Sequence, residues 1–350
     1  MRNTNALPEW ANELEHRPEV FPHQLDLIND NLLLVELSAA ETSAASFLDQ
    51  RVLKQGTRGA WVAWPLIAEL FEKVPDNKPP GFIFHVGHCG STLLSRLLQQ
   101  LDETRSLREP LPLRTLAQDV ADAEEGRSFL SRQEQSRRLR LLSKMWCRGA
   151  EHTVIKATSI CTDLLALIHA DDPMARTVFV FNRAETHIAT LLAGQNAVVD
   201  LRGFAQLRLQ RLQQKTHLKI PLHQMTPGQL AALSWLSEAV SATQSLASYP
   251  EQIRVLEFDA FLGKPTESLA SLSNFLGIPA DRQAIEKAIN SDVLQTYSKA
   301  PEHQYNAQTR QAILADSRSR FAIEIKEALS WLDDLAGRSG LVSASVQKFG

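Results

Sequence analysis

The sequence predicts a three-layer α/β/α fold, with a central parallel sheet, a small N-terminal α+β appendage and extra C-terminal helices. Two observations predict it. From residue 81 onward, short runs of β-branched and aromatic residues alternate with stretches of helical period, the order that builds parallel sheets. The second is the stretch from Gly81 to Leu98: an apolar strand, a tight glycine turn and the start of an amphipathic helix. Hydrophobic residues at 44% and charged residues at 22% support a large core for such a fold and argue against wholesale disorder.

The elements follow in order. In residues 1–78, Leu25–Leu27 and Leu32–Leu37 flank Asn29, Asp30 and Asn31, which predicts a β-hairpin. Short helices are expected near Ala39–Leu48 and Trp64–Lys73, and Lys78-Pro79-Pro80 marks a junction. The chain is therefore divided into an appendage at 1–78, an α/β domain at 79–339 and a frayed tail at 340–350, where Ser and Gly recur without helical period. Within the α/β part the candidate strands are Phe82–Val86, Ser106–Arg108, Thr153–Ala157, Thr177–Phe181 and Ile253–Phe258. Helical patterns cover Thr92–Leu101, Ser128–Trp146, Thr162–His169, Glu185–Ala193, Gly203–Thr216 and Pro227–Ser248, then Thr266–Phe275, Asp281–Ala288 and Asp316–Leu335.

Composition excludes several classes. A net charge of −3 gives no global reason to expect nucleic acid or an acidic membrane as partner. Three cysteines without C-x-x-C spacing rule out a disulfide framework and argue against a cysteine zinc site, so no metal is expected and a reducing compartment is. Residues 1–30 carry Glu13, Glu15, Arg17 and Glu19 and show no signal peptide, and no apolar run reaches the roughly 18 residues of a membrane span. The expectation is a soluble, cytoplasmic protein, with its oligomeric state open.

The chemistry concentrates in the turn. A strand–glycine turn–helix unit aims backbone N–H groups and the positive end of a helix dipole at one point, which binds phosphate or sulfate. Gly87 and Gly90 bring the backbone close to an anion, and Ser91 and Thr92 add hydroxyls. The Walker pattern G-x-x-x-x-G-K-[ST] needs a Lys after the second Gly, where Ser91 stands, and a Gly where His85 stands. The turn is P-loop-like without the lysine of an ordinary ATPase or GTPase.

Four stretches across residues 81–278 together resemble the sulfotransferase family, P-loop-related enzymes that use 3′-phosphoadenosine 5′-phosphosulfate (PAPS). They are His88-Cys89-Gly90-Ser91-Thr92; Arg108-Glu109-Pro110; the strand ending in Asn182-Arg183; and Val255–Asp259 with Phe275–Ile278. The resemblance implies that Gly87, His88, Cys89, Gly90, Ser91 and Thr92 cradle the 5′-phosphosulfate and that Glu109 is the general base. It implies that Arg183 grips the 3′-phosphate, with Thr190 in place of a serine the family has one residue later on that helix. Lys156 matches a lysine near the nucleotide, and Lys299 a late basic loop. The products are a sulfated acceptor and 3′-phosphoadenosine 5′-phosphate (PAP); the acceptor is a small molecule or glycan hydroxyl or amine.

His88 departs from the pattern, since the family has Lys or Arg there to stabilise charge on the leaving oxygen. A neutral imidazole donates only one hydrogen bond there and an imidazolium gives a full charge, so activity is expected to fall as pH rises past the histidine pKa, and His88→Lys to flatten the profile. The residue types also admit plainer readings. Glu109 could cap a turn, Arg183 could form a surface salt bridge, His85 packs in the sheet, and Cys89 fills a small slot. Two basic stretches, Arg127–Lys144 and Arg202–Lys219, suggest an anionic acceptor, although long basic helices are commonly solvated faces. The alternatives are a P-loop small-molecule kinase, which needs the absent Lys and a magnesium-holding Asp, and a catalytically weak PAPS- or PAP-binding protein of the same fold.

Overall fold

A computed structural model describes residues 3–4, 6–76, 78–194, 197–294, 296–297, 300–304 and 307–350. The first sheet holds β1 (Asn3–Thr4), β2 (Val20–Asp26), β3 (Asn31–Glu36) and β4 (Gly59–Ala63), in the order β1-β4-β3-β2. The expected hairpin is β2–β3. Its turn forms because the Asp26 carboxylate accepts the N–H groups of Ile28 and Asn29, both at 3.0 Å, while Asp30 takes a left-handed φ of 53°. The β2–β3 register shifts between Pro22 and Gln24, which leaves His23 as a bulge residue. Helix α1 (Ala39–Ala44) starts with a Ser38–Glu41 capping box, and α2 (Trp64–Lys73) has Pro65 in its first turn, where the missing N–H costs nothing.

The central sheet contains β5 (Gly81–His85), β6 (Thr104–Arg108), β7 (His152–Lys156), β8 (Arg176–Phe181) and β9 (Ile253–Glu257). All pairs are parallel and the order is β6-β7-β5-β8-β9. Every residue of β5 and β7 is buried, as expected of strands covered on both faces. Because β5 is central, with crossovers leaving it in both directions, its C-terminal end opens at the point where such sheets bind ligands.

Helices cover both faces: α3 (Ser91–Leu98), α4 (Leu111–Ala123), α5 (Arg132–Trp146), α6 (Leu164–Asp171), α7 (Ala184–Ala193), α8 (Ala197–Gly203), α9 (Ala205–Thr216) and α10 (Pro227–Ser248). They continue with α11 (Phe258–Gly263), α12 (Pro265–Phe275), α13 (Arg282–Ile289), α14 (Ala307–Arg320), α15 (Ala322–Arg338) and α16 (Gly340–Phe349). One buried apolar cluster runs from Ala11 in the N-terminal segment to Phe349.

Several expectations need correction. The stretch after Glu109 is a helix, α4, because its two prolines sit at the N-cap and in the first turn. The single helix expected at Asp316–Leu335 is two, α14 and α15, meeting at Phe321. The frayed tail from Gly340 is instead α16, capped by Ser339 and anchored by Phe349 against the rings of Phe179 and Phe181, at 5.4 and 4.9 Å. The basic helices are not solvated faces either. On α5, Arg137 pairs with Glu72, Arg138 with Asp30, and Lys144 with Asp76, clasping the N-terminal segment. On α9, Arg208 pairs with Asp200, and buried Arg211 with Asp163 and Glu238. An anionic acceptor therefore cannot be inferred from these paired residues.

Candidate active site

The turn leaves β5 with three left-handed residues, Gly87 (φ 89°), His88 (φ 49°) and Gly90 (φ 73°), and enters α3 at Ser91. His85 does more than pack. Its Nε2 donates to the Ala157 carbonyl (3.0 Å) and its Nδ1 accepts the Gly87 N–H (2.9 Å), which assigns a neutral imidazole with the proton on Nε2. It ties the turn to the end of β7 and consumes one N–H expected to face an anion. Gly90 is required by its neighbour as well as by φ, since a Cβ there would lie 2.0 Å from the Phe258 ring. Cys89 is fully buried with its thiol on the Val180 carbonyl (3.3 Å), the small packed residue that the sequence suggested.

Two polar groups at this turn are buried without a hydrogen-bond partner among the described residues. Gly90, as N-cap, offers α3 no side chain, and the Thr92 Oγ1 is buried without a hydrogen-bond partner. Arg310 pairs with Asp259 (2.6 Å) and stacks over Phe258 (5.4 Å), the ring that touches Gly90, while its Nη2 is buried without a partner. Both orphans are donors, and both suit an anion.

The back of the turn is held by Asn182, whose Nδ2 donates to the His88 carbonyl (3.3 Å) and whose own carbonyl accepts the Trp235 indole N–H (2.9 Å). Behind it, burial pushes the His187 imidazole down to about 3, with the charge of His88 adding to the fall, so His187 is a neutral wall bonded to Ser234 (3.0 Å).

Glu109 stands directly after β6 in a left-handed conformation, φ 57°, unusual for a non-glycine residue and a form of stored strain. Its N–H donates to the Lys156 carbonyl (2.7 Å) and its carboxylate pairs with the Lys156 ammonium. The lysine side chain is 1% exposed and the glutamate 14%. Lys156 is thus not a solvated strand end; it lies between Glu109 and β5, in register with Ile83.

Arg183 ends β8 as expected, but its Nε binds Glu257 (2.9 Å) and its Nη1 the Gly350 carbonyl (2.9 Å), with 63% of the side chain exposed. The Thr190 hydroxyl donates to the Thr186 carbonyl (2.7 Å). Lys299 lies outside the described residues. The structure thus brings the turn, Glu109 and Lys156 together at the C-terminal ends of adjacent strands, with Arg183 at the end of the next. Sequence reasoning passed over Asn182 as a ligand of the turn and Phe258 as its cover, for which the signal was the Val255–Asp259 motif itself; Arg310 belongs to the late basic region that the resemblance had already pointed to. Cavities of about 790 Å³ beside Arg148 and Thr153, and about 950 Å³ beside Gln99 and Thr104, open at the opposite end of the sheet.

The chain matches no protein-family model, and no curated protein is similar to it. Among solved structures it is similar to a sulfotransferase from Mycobacterium avium, 12% identical, covering 72% of this chain and 79% of that one, TM-score 0.41. A sulfotransferase from Alicyclobacillus acidocaldarius is 16% identical over 71% and 96% of the two chains, TM-score 0.37. A retinol dehydratase in complex with retinol and PAP is 10% identical over 88% and 96%, TM-score 0.35. Among the described residues no helix is long and apolar enough to cross a membrane.

Proposed function

We propose that the chain is a sulfotransferase that uses PAPS, acting in a reducing, cytoplasmic compartment. The observation that carries this reading is the pairing of an anion-shaped turn, with unfilled donors at Thr92 and Arg310, with the Glu109–Lys156 ion pair at the ends of neighbouring strands. The turn fits a phosphosulfate: Gly90 leaves the helix start uncapped, and the Thr92 hydroxyl is buried and free to donate. Asn182 and Arg183 stand where a kinase of this architecture would need a magnesium-holding Asp, and Ser91 where it would need Lys.

In this reading Thr92 and the first turn of α3 hold the 5′-phosphosulfate, while Arg183, Arg310, Thr190 and Lys299 serve the 3′-phosphate. Arg183 exchanges Glu257 for that phosphate. When bound, PAPS supplies the sulfuryl group. Glu109, paired with Lys156, accepts the proton of the acceptor O–H or N–H as the acceptor–sulfur bond forms. The Lys156 ammonium and the His88 imidazole supply donors where negative charge grows on the leaving phosphate oxygen. Strain at Glu109 fixes the carboxylate in place before the acceptor arrives.

Turnover of sulfur-labelled PAPS against a panel of phenols, alcohols and amines tests the reading. Label transfer that drops at least about a hundredfold in Glu109→Gln, with PAP binding retained, supports it. Phosphoryl transfer from ATP with magnesium, with no transfer from PAPS, overturns it.

A further inference from the structure

The N-terminal segment reaches the candidate base. The buried Arg108 guanidinium donates to the carbonyls of Ala45 (2.7 Å), Ser43 and Thr42 (3.4 Å), and the Arg108 carbonyl accepts the Leu48 N–H (2.7 Å). Arg96 on α3 adds bonds to the Ala44 carbonyl (3.3 Å) and the Ser46 hydroxyl (3.0 Å). Residues 42–48 are therefore strapped to the end of β6, one residue before Glu109, and the chain then presents Phe47, Asp49 and Arg51 beside it. The Arg51 guanidinium sits 3.5 Å over the Phe47 ring and pairs with Asp49 at 2.5 Å, and the charge of Glu109 reaches it.

Arg114 lies on α4, five residues after Glu109. It lies 5.4 Å over the Phe204 ring, with Arg208 over the same ring at 5.5 Å. Burial pushes the Asp49 carboxyl up, but hydrogen bonds from Arg51, its charge and that of Arg114 outweigh this and hold it below its ordinary value. Strap and helix thus share one electrostatic neighbourhood. Three ion pairs lie here, Arg51 with Asp49, Arg208 with Asp200 and Lys156 with Glu109. Arg114 acts on Asp49 through its charge but has no carboxylate at ion-pair distance among the described residues. His23, the bulge residue whose imidazole feels Asp49, is fully buried with neither ring nitrogen hydrogen-bonded.

We propose that this rim is the acceptor subsite, and that it takes a hydroxylated acceptor with an apolar ring and a carboxylate, the carboxylate binding Arg114. A guanidinium held flat on an aromatic ring keeps its donor fork oriented, and an unneutralised one favours an anion. Phe47 and Phe204 supply the apolar walls, and Glu109, which lies in the chain between the strapped Arg108 and the start of α4, receives the hydroxyl proton. The inference rests on the sulfotransferase reading for the role of Glu109, and gives the N-terminal sheet the task of acceptor selection.

The test compares 4-hydroxybenzoate with 4-hydroxybenzamide as acceptors of labelled sulfate from PAPS. The wild type is expected to prefer the acid at least about tenfold in kcat/KM, through KM. Arg114→Gln should reduce that preference about tenfold, and Arg114→Lys should restore part of it. A wild type without preference, or an Arg114→Gln variant that keeps it, overturns the subsite and leaves sulfuryl transfer standing. If neither phenol is sulfated, calorimetric titration of 4-hydroxybenzoate into the protein decides. Binding that Arg114→Gln abolishes supports the subsite, and absent binding overturns it. Failure to bind PAP separately overturns the sulfotransferase reading.

Discussion

Replacing Gly90 by alanine should destabilise the protein by about 2–5 kcal/mol, in two parts that can be measured separately. The first is backbone: at φ 73° an L-residue pays about 1–2 kcal/mol. The second is steric. The new Cβ would lie 2.0 Å from the Phe258 Cε2, 2.1 Å from Cζ and 2.5 Å from Cδ2. Carbon atoms rest about 3.5–4.0 Å apart, so the ring must retreat by about 1.5 Å. Phe258 has little room to do so, being 6% exposed and packed between Arg310 and the near-parallel ring of Phe261. Forcing such a move costs about 1–3 kcal/mol. Urea unfolding of Gly90→Ala, Phe258→Ala and the double variant separates the parts. Without the ring, Gly90→Ala should cost only about 1–2 kcal/mol, giving a coupling of about 1–3 kcal/mol. An equal cost in both backgrounds, or a cost below about 0.5 kcal/mol in the wild type, would refute the reasoning.

Three further outcomes are expected. Lys156→Met leaves the Glu109 carboxylate partly buried without its partner, so urea unfolding should show a loss of about 1–3 kcal/mol, less than for a fully buried pair because Glu109 retains 14% exposure. A stability equal to wild type would mean that the pair contributes nothing. His187 is held neutral by burial, at about 3 against an ordinary 6.5, so its folded value is lowered. The unfolded chain then binds the proton that the folded one refuses. Stability is full above about pH 6.5 and falls on acidification towards pH 3, by about 1.4 kcal/mol per unit from this imidazole. His187→Gln should remove that share of the slope in unfolding measured from pH 7 to 5. Finally, Arg183→Gln should weaken PAP about tenfold or more while leaving adenosine 5′-phosphosulfate, which lacks the 3′-phosphate, unaffected; Glu257→Gln should tighten PAP. Equal losses for both ligands would remove Arg183 from the 3′-phosphate.

The central sheet was legible because its inner strands β5 and β7 are buried on both faces, and a strand such as Phe82–Phe84 has no other stable use. The turn was legible for the same local reason: a strand, two glycines and hydroxyls at a helix start are contiguous in sequence. Helix α4 was not assigned from sequence: it carries Pro110 and Pro112, which suit a helix only because they fall at the N-cap and in the first turn. Helix α16 was missed because its stability comes from Phe349 docking on β8, a contact across almost half the chain. At the site, Glu109 and Lys156 were each visible but their pairing was not, since it depends on β7 lying between β5 and β6. The same holds for Arg183 and Glu257, and for the strap at 42–51, which arrives at Glu109 only through the fold. Charge counts misled where tertiary partners neutralise the charge, as on α5 and α9, and passed over Arg114, which has no carboxylate at ion-pair distance among the described residues.

The most direct test of the central claim needs no acceptor: calorimetric titration of the protein with PAP in the absence of magnesium. The account predicts one-to-one binding that weakens about tenfold in Thr92→Val, whose lost hydroxyl is the buried donor at the start of α3. No binding of PAP by the wild type, together with binding of ATP only when magnesium is present, would contradict it.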